Sequence, residues 1–186
     1  MMYIGIDPGL NGAVAAIYQR NLVDATAALK RGEPGTFGKE EVEVFDTPTM
    51  TVVGSKTKRK YSVPGMVRLL QYFIDKNIGD RSSIIVILES VHSMPKQGVS
   101  SSFTFGEGLG MWEGIIATLG LSLEMPSPQR WKKEMLADQG KEKDASRFKA
   151  MQLFPTVAGQ LNRKKDDGRA EALLMAEYGR RLRKVQ

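Results

Sequence analysis

Residues 84–88 read Ile-Ile-Val-Ile-Leu, five apolar side chains in succession, four of them branched at Cβ. The run is too short for a buried helix, and Cβ branching favours a strand. A strand that is apolar on both faces must be covered on both faces, so it belongs inside a sheet with further structure on either side. Glu89 follows at once. An acid at the end of a buried strand pays a desolvation cost unless something positive compensates. Residues 3–7 repeat the arrangement: Tyr3-Ile4-Gly5-Ile6 ends in Asp7, and Pro8-Gly9 makes the chain turn there. Taken singly, either acid is better read as an ordinary cap of a loop or neighbouring helix.

Periodicity and punctuation supply the other elements. Residues 3–7 and 12–18 form a hairpin, and 41–46 a third, more exposed strand. The spacing of Val67, Leu69, Leu70, Phe73 and Ile74 predicts a helix over 63–78, ending before Gly79. A strand over 83–89, a helix over about 103–119, a strand over 121–125 and helices opening at Pro126 and Pro128, at 143–154 and at 167–182 complete the chain. Residues 20–40, with Gly32, Pro34, Gly35 and Gly38, read as a loop with room for a short helix. The order predicts an α/β domain with a mixed five-stranded sheet and helices on both faces. With 186 residues and no repeat or linker, the expectation is one domain over 1–186.

Composition excludes several chemistries. The absence of cysteine rules out disulfides, thiolate metal sites and a cysteine nucleophile, and a single histidine, His92, rules out a multi-histidine zinc site. A metal would be held mainly by carboxylates, which selects hard ions such as Mg2+ or Mn2+. No apolar run approaches the roughly 18 residues of a membrane span, and the N-terminus lacks the pattern of a secretory signal. A cytoplasmic protein of a bacterial or phage-infected cell is expected, an organelle-derived mature form being the other reading. From Ser127 onward there are fifteen Lys and Arg against eight Asp and Glu, so the net charge of +6 sits in the C-terminal part. That suits a polyanionic partner, although charge alone serves equally as a solubilising surface.

Asp167 and Glu171 stand four residues apart on an expected helix, which puts two like charges on one face. The adjacent Lys164, Lys165 and Arg169 could simply neutralise them, and Asp166 is placed to cap the helix. Together, Asp7, Glu89, Asp167 and Glu171 offer the oxygen-only ligand set that two divalent ions in one active site require.

Three stretches resemble the RuvC-type Holliday junction resolvases. They are Tyr3-Ile4-Gly5-Ile6-Asp7-Pro8-Gly9 with Gly12-Ala13-Val14-Ala15, then Ile87-Leu88-Glu89-Ser90-Val91, and then Lys165-Asp166-Asp167-Gly168-Arg169-Ala170-Glu171-Ala172-Leu173-Leu174. The last is nearest the bacteriophage and chloroplast branch of the family. The resemblance implies an RNase H-like fold, a homodimer, about two Mg2+ (or Mn2+) ions per site held by Asp7, Glu89, Asp167 and Glu171, and paired symmetrical nicks across a four-way DNA junction. Lys143 matches a family lysine near the scissile phosphate, and Lys132 or Lys133 another basic contact. Two positions depart from the family: His92 stands where many relatives carry a stacking aromatic, and Glu171 where many carry Asp. The imidazole of His92 either stacks on a base or belongs to an ordinary loop.

Further DNA contacts are expected from the basic turn carrying Lys56, Lys58, Arg59 and Lys60, from the loop with Gln97, Ser100 and Ser101, and from Arg163, Lys164 and Lys165 beside the last acids. Phe103, Phe105, Gly106, Gly110 and Trp112 read as a closely packed helix face, core in preference to interface. Three rivals stand against a junction resolvase. A sugar-kinase or actin type of phosphotransferase is disfavoured by length and by the lack of a second glycine-rich phosphate loop. A non-catalytic junction-binding module is disfavoured by the presence of all four acids. A nuclease acting on flaps and forks as well is not separable by sequence.

Overall fold

The computed structural model describes residues 1–19, 30, 40–55, 57–77, 79–90, 98–139 and 144–184. Strands β1 (Met2–Ile6) and β2 (Ala13–Gln19) form the expected antiparallel hairpin, and β3 (Glu40–Asp46) adds to β2 antiparallel. The exposed hairpin β4 (Thr49–Val52) and β5 (Lys58–Tyr61) is a separate two-stranded sheet. Strand β6 (Ile84–Leu88) lies parallel to β1, in the register Ile4 to Val86 and Ile6 to Leu88. The short β7 (Ser122–Glu124) lies parallel to β6 and closes a mixed sheet of order β3-β2-β1-β6-β7.

Strand alternation divides the apolar runs between two cores. Met2, Ile4 and Ile6 of β1 and Ile84, Val86 and Leu88 of β6 face helices α1 (Val63–Lys76) and α2 (Val99–Thr118), with Phe73, Leu70 and Trp112 among the buried partners. Tyr3, Ile85 and Ile87 face the other way, toward α3 (Pro128–Met135), α4 (Ala145–Leu153) and α5 (Asp167–Lys184). Helix α5 crosses directly over β1. A Cβ on Gly5 would fall 2.0 Å from the carbonyl oxygen of Ala172, so only glycine permits this approach. The two-faced sheet expected from residues 84–88 is thus realised, with helices on both sides.

Several expectations are corrected. Helix α2 begins at Val99, ahead of residue 103, so Ser100 and Ser101 form its first turn and not a loop. The start is not marked by burial, since the apolar side chains there face solvent: Val99 is 88% and Phe103 74% exposed. The packed face expected from Phe103 to Trp112 therefore holds for the fully buried Trp112 and fails for Phe103, while Gly106 and Gly110 border open space. Asp166 immediately precedes α5, yet its carboxylate turns back to accept from the backbone N–H and guanidinium of Arg163. The helix expected over 143–154 spans Ala145–Leu153 among the described residues. The segment 20–40 lies outside them except for Lys30 and Glu40. Among the described residues no helix is long and apolar enough to cross a membrane.

Candidate active site

Asp7 and Glu89 are the first residues beyond the neighbouring parallel strands β1 and β6, and ladder bonds still pin both. The Asp7 N–H donates to the Ala13 carbonyl at 3.0 Å, and the Glu89 N–H to the Ile6 carbonyl at 3.3 Å. By alternation they continue the row of Tyr3, Gly5, Ile85 and Ile87, so they belong to the α5 side of the sheet. The start of α5 comes down on them. A Cβ at Gly168 would meet Oδ2 of Asp7 at 2.8 Å and the Asn11 carbonyl at 2.8 Å. Asp167 and Glu171 ride on this first turn and the next.

Each acid has a distinct environment. Asp7 accepts from the Gly9 N–H at 3.1 Å. Burial pushes its carboxyl up to about 7 against the pull of that bond, and the charges of Glu171 and Glu89 add to the rise. Glu89, 6% exposed, accepts from the indole N–H of Trp131 at 2.9 Å. Burial raises its carboxyl above the ordinary value, the indole bond opposes, and Glu171 adds to the rise. Glu171 accepts from Lys132 Nζ at 2.7 Å. Burial opposes the charge on Lys132, but the carboxylates of Glu171, Glu89 and Asp7 outweigh it and hold the ammonium above its usual value. Asp167 pairs with Arg147, whose Nε lies 3.1 Å from Oδ1.

The four expected ligands therefore lie around two strand ends and one helix start: Glu89 and Glu171 are near enough for their charges to act on Asp7, and Asp167 shares the cleft wall with Asp7. As they stand, no three His, Asp or Glu side chains among the described residues are gathered closely enough to hold an ion. Glu171 is turned to Lys132 and Asp167 to Arg147. The donor set nonetheless fits a hard divalent cation: it is all oxygen and partly desolvated, and burial first, then the neighbouring carboxylates, make Asp7 and Glu89 weaker acids than usual.

Asp7 and Asp167 open into a cleft of about 840 Å³. Its walls carry Arg59 from the β4–β5 hairpin, Ser100 and Ser101 from α2, and Arg163, Lys164 and Lys165 from the turn before α5. Six expected DNA contacts thus face one groove. The pairing of β4 with β5 separates the basic turn: Thr49, Thr51, Arg59 and Tyr61 share one face, Met50, Val52, Lys58 and Lys60 the other. Thr49, Arg59 and Tyr61 line the cleft, whereas exposed Lys58 and Lys60 are directed away from it. Arg59 also donates to the Leu10 carbonyl at 3.0 Å and to the Asn11 side chain, and Tyr61 donates to the Pro8 carbonyl at 3.1 Å, so the hairpin grips the turn after Asp7. Lys132 sits among the acids and Lys133 is exposed on α3. Lys56, His92, Gln97 and Lys143 lie outside the described residues.

Sequence reasoning missed Trp131 and Arg147 as parts of the site. Both left a signal. A buried indole N–H needs an acceptor, and Arg147 falls on the stripe of Ala150 and Phe154, where a charge must be paired.

The sheet order, the two-sided helix cover and the acids at adjacent strand ends define an RNase H-like fold of the RuvC type. A structure of RuvC from Thermus thermophilus superposes over 97% of this chain and 96% of its own, with a TM-score of 0.50 and 16% identity. T. thermophilus RuvC in complex with Holliday junction substrate superposes over 100% of this chain and 96% of its own, with a TM-score of 0.57 and 12% identity. In sequence, the chain is 34% identical over 85 residues to the chloroplastic Holliday junction resolvase MOC1 of Chlamydomonas reinhardtii. That stretch is 46% of this chain and 10% of MOC1, so the match spans about a tenth of the curated relative. No family model matches.

Proposed function

We propose that this chain is a metal-dependent endonuclease that resolves four-way DNA junctions. The observation that carries the reading is the placing of Asp7 and Asp167 in a cleft walled by Arg59, Arg163, Lys164 and Lys165, with Glu89 and Glu171 near enough for their charges to act on Asp7, in a chain with the fold of RuvC. The resolvase name of the 34% identical relative and the junction-bound RuvC structure support the choice of substrate.

Asp7, Glu89, Asp167 and Glu171 would hold Mg2+ or Mn2+, two ions in the reading that four acids favour. When bound, such ions supply Lewis acidity for the attacking water and for the departing 3′ oxygen. The chain's own groups do the rest. The cations of the cleft wall hold the phosphate backbone without reading sequence. Ser100 and Ser101 offer hydroxyls to phosphate oxygens, and the first turn of α2 adds backbone N–H groups. Lys132, charged and in contact with Glu171, reduces the repulsion that an incoming phosphate meets from the carboxylates.

Paired nicks need two sites, and α2 offers a surface for a second copy. Gly110, Met111, Gly114, Ile115, Thr118 and Leu119, with Val67 of α1, line an apolar groove, and nothing lies within 4 Å of a Cβ built on Gly110 or Gly114. Such an open backbone face suits close packing against the same helix of a homodimer partner.

The test is cleavage of a labelled four-way junction, a flap and a linear duplex, each with Mg2+ or with EDTA. Paired nicks confined to the junction and abolished by EDTA are the expected result. Flap cutting at a similar rate would move the assignment to a general branch nuclease, and binding without cutting to a non-catalytic junction protein.

A further inference from the structure

Arg147 of α4 is 7% exposed, and its guanidinium gathers three otherwise separate parts of the chain. Nη2 lies 2.8 Å from Oδ1 of Asp144, ahead of α4. Nη1 donates to the carbonyl of Leu161 at 3.3 Å, and Nε lies 3.1 Å from Oδ1 of Asp167 at the start of α5. An apolar side chain would fill the site between α4 and α5 without any need for a charge partner, so a buried cation here calls for an explanation beyond packing.

The contact with Asp167 is incomplete. Nε is within ion-pair distance of Oδ1 but off the hydrogen-bond line, and it is one of three buried side-chain nitrogens or oxygens among the described residues left without a hydrogen-bond partner. The Asp167 side chain is 49% exposed and borders the cleft. One of its oxygens is thus held loosely from behind by a buried guanidinium, while the group as a whole still opens to the cleft.

We propose that Arg147 is a positioning residue for the metal site: it holds Asp167 by Oδ1 and so directs the other oxygen to the cation. Turning the carboxylate into line with Nε would satisfy the orphaned donor through Oδ1 and leave Oδ2 for a cation. A ligand whose other oxygen is hydrogen-bonded loses less freedom when the ion binds. The inference rests on the metal-dependent reading above.

The test compares Arg147→Gln and Arg147→Lys with wild type in the full chain. Three quantities are read: Mg2+ half-saturation of junction cleavage, Tb3+ emission sensitised by Trp131, and melting temperature. Trp131 is bonded to Glu89, so a lanthanide among the acids lies near the indole. Arg147→Gln should weaken both metal readouts by about ten-fold or more, with much of the rate restored at saturating Mg2+ and unchanged junction affinity. Arg147→Lys should fall between it and wild type. Asp144→Asn serves as control: it removes the charge from the structural half of the pairing, and should lower the melting temperature with little change in metal affinity. Metal affinity indistinguishable from wild type in both variants, whatever their melting temperatures, would reduce Arg147 to a tie between helices. If Arg147→Gln does not fold, the Lys variant alone decides. Wild-type protein that binds neither ion would defeat the functional reading itself, a different result from metal binding that ignores Arg147.

Discussion

Gly168 lies directly against the carboxylate of Asp7, with no room between the two for a single methyl group. A Cβ at Gly168 would stand 2.8 Å from Oδ2 and 2.9 Å from the Cα of Gly12. Gly168→Ala should therefore push the start of α5 away from β1 and carry Asp167 with it. Helix propensity favours the alanine, so the fold should survive. Single-turnover junction cleavage should fall on the order of a hundred-fold, the cost of a misplacement near 1 Å, with an unchanged circular dichroism spectrum. A rate close to wild type would mean that α5 does not help to build the site.

Asp7→Asn separates stability from activity. In the folded protein the carboxyl sits near 7 instead of 3.8, so between these values the folded state holds a proton that the unfolded state has released. Stability then falls as pH rises through that window, by about 4 kcal/mol at most. The amide keeps the shape and can still accept from Gly9, but has no charge to bury. Metal-free Asp7→Asn should be more stable than wild type at pH 8 and equal to it at pH 3 in urea titrations, while cutting nothing. Equal stability at both pH values would mean that water already solvates the carboxylate.

The two faces of the β4–β5 hairpin predict unequal roles for its cations. Arg59→Ala should lower the salt slope of junction binding by about 1, because each lost phosphate contact removes roughly 0.9. The pair Lys58→Ala and Lys60→Ala should leave it nearly unchanged, since both point away from the cleft. A larger loss from the lysine pair would place DNA on the outer face of the hairpin.

Gly114→Arg puts a charged side chain into the apolar groove of α2. Sedimentation should then report a monomer, and the junction should be nicked on one strand at a time without coupling. A dimer that persists would put the interface elsewhere.

Much of this site was readable from local pattern. Asp7 and Glu89 were visible because each ends an apolar run, and Asp167 and Glu171 because four-residue spacing needs only a helix. Arg147 and Trp131 were hidden because their role depends on how α3 and α4 dock against α5 and β6, a long-range matter. The split of Lys58, Arg59 and Lys60 was hidden for another reason. Alternation is certain within a strand, but which residues count as strand depended on recognising the β4–β5 pairing, and a polar, exposed hairpin carries little hydrophobic signal. The exposed Phe103 misled because an aromatic at helical spacing normally marks a core.

The parallel register of β1 with β6 has a consequence for quality control. The alternation that sends Ile85 and Ile87 into one core also aims Glu89, just as Tyr3 and Gly5 fix the side on which Asp7 stands. A slip of one residue would turn every side chain of β6 over, exchanging the contents of both cores as it swung the acid to the wrong side. A chain with a mis-aimed acid is thus also a chain with a ruined interior. The same register that fills the two cores aims the acids, so an error in one is an error in the other.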